Sequence, residues 1–293
     1  MAKTSEVYSY IIKGVSKLQQ FLLLWVILGI VSAVLIIIAL LPIFLVASGQ
    51  FSANTALLIT LVIIVANLLI GLIPYFIYMI GVKELSKWRS SFSKYKQVVI
   101  AVIILAVVNI LLTLNEWVYA YGVLVEVIAA GKISPENLTE AAYYISEVFK
   151  NYCAERPLLC LIEPLIDPLI IVLSIVLVGV FSTARREVEE LTVTATLADK
   201  QSLLELKKLS TATLLLRTSL LFRLLNMVMG LPFLTLPSWL VTVIEQLSPL
   251  LSVLSFVLLI VGVILGYTGL SRVKSIIAAI SVSEKPGAVP IPV

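Results

Sequence analysis

The chain contains no histidine. That absence removes the commonest general base, a usual metal ligand and the one side chain that titrates near neutral pH. A Ser-His-Asp or Cys-His nucleophile is excluded, as are zinc sites of the HExxH or Cys/His type. Only two cysteines are present, too few to complete a zinc site on their own. Charge is scarce as well. Asp, Glu, Lys and Arg make up 13% of the 293 residues against 60% hydrophobic ones, and mean hydropathy is +1.11. A soluble domain is about a quarter charged and near half apolar, so this is membrane composition. No Lys/Arg-rich run with interleaved aromatics supports a nucleic-acid groove. Also missing are a Walker A loop, a P-x-[DE]-x-x-[RK] helix end, and the intramembrane-protease patterns G-x-G-D and G-x-S-x-G. Together these gaps point to a protein that is not an enzyme and carries neither metal nor cofactor.

What the chain has in quantity is apolar length. A helix needs about 20 apolar residues to cross the hydrocarbon core, and six segments reach or approach this: 21–47, 56–82, 97–114, 168–184, 214–240 and 249–270. The first is too long for a signal h-region and is expected to be retained as a membrane helix. The fourth is the shortest, about 25 Å at the helical rise. Residues 1–20 read as a short amphipathic helix leading into the membrane. The proline-punctuated tail, 283–293, reads as disordered. The expected fold class is all-α, a single polytopic membrane domain with six transmembrane helices.

Lys and Arg set the orientation. With both termini inside, 18 of the 21 basic residues fall on the inner face, leaving Lys132, Lys150 and Arg156 outside. The inner face then carries +10 and the outer face −6. The expectation is a plasma-membrane protein with both termini in the cytoplasm. Trp25 at an inner end, and Trp117 and Trp239 at outer ends, suit interfacial belts.

The longest polar interruption, 115–167, holds both cysteines, the only N-x-[ST] sequon and eight of the seventeen acidic residues. Ser134-Pro135-Glu136 reads as a helix start. The apolar stripe that follows predicts an extracellular amphipathic helix between the third and fourth spans. Cys153 and Cys160 face the oxidising side in this topology and are expected to form a disulfide. Asn137, in the sequon, is a candidate glycosylation site.

Two sets of polar residues stand where a transport site would. Glu116, Glu163 and Asp167 flank the outer segment, and Asn67, Asn109 and Asn226 lie deeper. Charges inside a membrane are costly and usually functional. The competing expectation for Asp167-Pro168 is a helix N-cap followed by proline at the first position, at the outer interface. Glu116 would sit there too. Arg217 and Arg223 enter the fifth helix from inside and are candidates for lipid or anion contact by snorkelling. Gly262 and Gly266 form a GxxxG face suited to close helix packing, within the chain or with a homo-oligomeric partner. Segment 185–212 repeats apolar residues at three and four and is expected to continue the fourth helix and turn into the fifth, as an intrachain hairpin or a surface for other membrane subunits.

Gly81-Val-Lys-Glu-Leu85-Ser86-Lys87 closes the second span and Gly266-Tyr-Thr-Gly-Leu270-Ser271-Arg272 the sixth, both reading G-x-x-x-L-S-[K/R]. With Val/Ile/Leu-dominated spans and no histidine, the chain resembles multi-pass membrane proteins of unknown function from hyperthermophilic archaea. The resemblance implies a membrane location and no activity. Two functions remain: a non-enzymatic scaffold or accessory subunit of a membrane complex, or a small secondary transporter or channel with its polar site near Glu116, Glu163 and Asp167.

Overall fold

The computed structural model describes residues 2–47, 50, 52–129, 147–148, 150–194, 200–229 and 238–283. Among the described residues these helices have both ends defined: α1 (Ala2–Ala47), α2 (Ala53–Trp88), α3 (Ser93–Ala129), α4 (Pro157–Leu177), α5 (Gly179–Thr194), α6 (Lys200–Met229) and α7 (Ser238–Ser283); residues 150–155 are helical as well. A 3-10 turn, Ser90–Phe92, joins α2 to α3. No strand occurs among the described residues. Six stretches are long and apolar enough to cross a membrane: Glu6–Ala39, Asn54–Trp88, Ser90–Ala120, Pro157–Val193, Leu204–Met229 and Gln246–Val282. Prolines 42, 74 and 249 sit inside α1, α2 and α7. Membrane helices tolerate them because neighbouring helices re-satisfy the freed carbonyls and no water competes for the backbone.

The chain divides into two compact units. One comprises residues 1–26, 74–103 and 168–293; the other comprises 27–73 and 104–167. The first holds the main core. Tyr8, Ile11, Val15, Leu18 and Leu22 recur at three and four along α1 and are buried. The expected separate N-terminal helix is therefore the start of α1 itself, its apolar stripe turned into the bundle.

Glycines set the close approaches in this unit. A Cβ on Gly14 would lie 2.6 Å from Leu85 Cγ and 2.9 Å from the Gly81 carbonyl, while one on Gly81 would meet the Gly14 carbonyl at 3.1 Å. On the α6–α7 pair, a Cβ at Gly262 would meet Leu216 at 2.8 Å and one at Gly269 would meet Leu209 at 2.8 Å. Gly266 faces Leu22 of α1 and Ala212 of α6. The Gly262/Gly266 face is thus consumed inside the chain and is not open to a partner. The two G-x-x-x-L-S-[K/R] motifs do the same packing job, since Leu85 and Leu270 are both fully buried.

Polar ties reinforce the packing. Gln19 Nε2 donates to the Tyr267 carbonyl at 3.2 Å and to Ser271 Oγ at 2.6 Å. Buried Tyr78 donates to the Leu177 carbonyl at 2.7 Å. Ser219 Oγ donates to the Ser255 carbonyl at 2.8 Å, and Ser255 Oγ returns the bond to the Ser219 carbonyl at 2.9 Å. The α5 helix packs on α6, α7 and the 3-10 turn, with its Arg185–Glu189 and Arg186–Glu190 pairs formed at 2.7 and 3.8 Å. Segment 185–212 therefore contributes to an intrachain helical hairpin; residues 195–199 lie outside the described residues.

Candidate functional site

The second unit contains an antiparallel ladder of polar contacts between α3 and the segment 150–167. Asn109 Nδ2 donates to Asp167 Oδ1 at 3.0 Å. Two turns further along α3, Glu116 lies beside Glu163, which is one turn before Asp167 on α4. Asn115 Nδ2 donates to Tyr152 Oη at 3.0 Å, and Arg156 Nη1 donates to Asn115 Oδ1 at 2.9 Å. The Arg156 guanidinium also covers the rings of Tyr119 and Tyr152, 5.6 and 5.3 Å from their centroids, and those rings stand 5.1 Å apart. Cys153 and Cys160 are joined in a disulfide with Cα atoms 5.5 Å apart. It clamps the chain on either side of Arg156.

This arrangement corrects one expectation. Asp167 is not an N-cap, and Pro168 is not the first residue of a helix. The start lies at Pro157, whose missing N–H suits that place, and α4 runs through Pro164, Asp167 and Pro168 to Leu177. At its other edge the polar interruption begins inside α3, which continues past Asn115 and Glu116 to Ala129. Polar residues remain helical here because each finds a partner across the helix pair, and membrane helices gain about 0.6 to 2 kcal/mol from such a bond.

The other nominated residues are not part of this ladder. Asn67, on α2 in the same unit, has a buried Oδ1 with no hydrogen-bond partner among the described residues. Asn226 belongs to the first unit and donates to Ser252 Oγ at 3.0 Å. Arg217 Nε donates to the Ile175 carbonyl at 3.3 Å. Arg223 lies along a cleft of about 440 Å³ between α6, α7 and Trp25. Trp25, stacked on Phe21 at 5.5 Å, forms one wall of that cleft. Asn137 and the helix expected from Ser134, apart from its end, lie outside the described residues, as do 284–293; nothing is described of the Trp117 and Trp239 side chains. Among the described residues, no group of three or more Cys, Asp and Glu comes together to hold a metal ion.

One charged site escaped sequence reasoning. Glu187 on α5 is 5% exposed. Its Oε2 lies 3.2 Å from Arg89 Nε, and its Oε1 accepts from Ser91 Oγ at 2.7 Å. It ties the α2–α3 connection to α5. The available signal was the position of Glu187 one residue from Val188 in a stripe that also buries Ala184.

Fold and composition define an all-helical protein that has, among the described residues, six helices long and apolar enough to cross a membrane. No family model, curated protein or solved structure matches the chain.

Proposed function

We propose that the protein is a small secondary transporter or channel for protons or a monovalent cation, with Glu116, Glu163 and Asp167 as its ion-handling groups. The observation that carries this reading is the pair of facing carboxyls, Glu116 and Glu163, in contact between two apolar helices. Two neighbouring carboxylates repel unless a proton or cation lies between them. A pair that holds a proton or cation between its oxygens is what an ion path uses. Asp167 with Asn109, one turn along α4, supplies a second acceptor in line with the pair.

A scaffold or accessory subunit is the second reading. The observation favouring it is the Asn115–Arg156–Tyr152 group, whose members satisfy one another and hold α3 against the disulfide loop without a ligand. In both readings the termini are cytoplasmic and the outer segment, with its amphipathic helix, is extracellular; the +10 and −6 faces support this through the positive-inside bias. A plasma-membrane location is part of the same proposal.

Flux in liposomes separates the two. With an entrapped pH dye, and with sodium or potassium gradients imposed in turn, the transport reading expects ion flux well above that of empty vesicles. It also expects Asp167→Asn and Glu163→Gln each to cut that flux at least tenfold. No flux of protons, sodium or potassium through folded wild-type protein would refute it and leave the scaffold reading.

A further inference from the structure

The cleft in the first unit has no role in the ion path proposed above. Its polar lining is Arg223, Ser219, Asn226, Ser252 and Ser255; apolar walls come chiefly from Trp25, Leu220, Phe256 and Leu259. Arg223 is about 22 Å along α6 from Lys208 at the helical rise, far from the basic inner end of the helix. It has no ion pair and no hydrogen bond among the described residues, in contrast to Arg217 with its carbonyl partner. A guanidinium among apolar helices needs a counter-anion or water.

The donors available around it can be counted. Ser219 and Ser255 spend their hydroxyl protons on each other's carbonyls. Ser252 Oγ accepts one N–H from Asn226, which leaves the Ser252 hydroxyl proton and the second Asn226 N–H unused. With the five N–H groups of Arg223, the cleft offers an incoming group a cluster of donors together with a positive charge, beside the single amide acceptor Asn226 Oδ1. That is the complement of an oxyanion.

We propose that this cleft binds the phosphate headgroup of an anionic membrane lipid, seated between Arg223, Ser252 and Asn226, with an acyl or isoprenoid chain along the Trp25–Phe256–Leu259 wall. Free phosphate shares the headgroup chemistry. The apolar lining favours the lipid, because a small hydrated ion draws nothing from an aromatic and aliphatic wall, whereas a lipid chain gains by covering it. Phe256 is 53% exposed, so the wall continues onto the lipid-facing surface of α7.

Native mass spectrometry of the purified full-length protein in detergent tests the site. Phosphatidylglycerol and phosphatidylcholine of identical chains are titrated in parallel, with and without millimolar inorganic phosphate. The expected result is at least a tenfold preference for phosphatidylglycerol, little changed by inorganic phosphate. Arg223→Gln abolishes the preference, Arg217→Gln keeps it, and the Ser252→Ala/Asn226→Ala pair reduces it several-fold. Arg223→Lys retains part of it, so a folding failure of the Gln variant still leaves a charge-preserving comparison. Three results overturn the proposal: equal binding of the two lipids, an unchanged preference in Arg223→Gln, or full displacement of lipid by inorganic phosphate, which marks a small-anion site. The proposal stands apart from the ion-path reading, since Arg223→Gln is expected to leave Glu163-dependent flux in place.

Discussion

Replacing Gly14 with alanine tests the packing that joins α1 to α2. The new methyl group would sit 2.6 Å from Leu85 Cγ and 2.9 Å from the Gly81 carbonyl oxygen. A leucine side chain can rotate away from such a contact, but a helix carbonyl cannot, so the two helices must separate. Overpacking of this kind costs about 1–3 kcal/mol. Against it stands the gain from replacing glycine in a helix interior, about 1 kcal/mol at most. The net expectation is a loss of about 1–2 kcal/mol, weighted by the backbone contact. Gly71 provides the control, because a Cβ there meets nothing within 4 Å. Gly71→Ala should therefore stabilise by about 0.5–1 kcal/mol through propensity and the unfolded chain. The two variants are expected to differ by about 2 kcal/mol, or roughly 4–8 °C in Tm for a chain of this size. Thermal unfolding in detergent, followed by tryptophan fluorescence, reads the difference. Gly14→Ala unfolding at or above the temperature of Gly71→Ala would refute the reasoning.

Three further outcomes are expected. Glu187→Ala removes a charge-assisted contact to Arg89 and another to Ser91, while Arg89 remains 48% exposed and solvated; the loss should be about 1.5–3 kcal/mol, read as an earlier unfolding transition, and Glu190→Ala on the exposed side of α5 should change little. Thiol titration of unreduced, denatured protein should find no free thiol, and reduction should lower stability by about 2–3 kcal/mol for the short loop closed by Cys153 and Cys160; two titratable thiols before reduction would exclude the bridge. Cysteine introduced at exposed Lys150 should react with a membrane-impermeant maleimide on intact cells while one at exposed Ser90 should not, and labelling of Ser90→Cys alone would invert the proposed topology.

Sequence and tertiary structure divided the information along physical lines. Apolar length, which depends on composition over a window of residues, was enough to place six spans, and the structure contains six helices of that character. The Cys153–Cys160 pairing was legible for the same local reason, being separated by seven positions. The helix start at Asp167-Pro168 was misread. An acid followed by proline has the form of a cap, but the same pair inside a membrane helix is tolerated when neighbouring helices satisfy the backbone, and only the fold shows which case holds. The carboxyls of Glu116, Glu163 and Asp167 were nominated together, as one polar site, from their place beside apolar runs. The contact of Glu116 with Glu163 depends on the antiparallel register of α3 and α4, to which residues 47 positions apart in sequence give no clue. Gly262 and Gly266 carried a packing signal whose partner, α6 and α1 of the same chain, the motif does not specify.

The sequence by itself determined the apolar character of this protein, the number of stretches long and apolar enough to cross a membrane, and the lack of any histidine, because hydropathy and residue type are properties of residues taken singly. Only the tertiary structure decided which polar groups meet, because hydrogen bonds between helices are fixed by register and rotation. That is why the buried Glu187, and the cleft in which Arg223 has no partner among the described residues, became visible only in the fold.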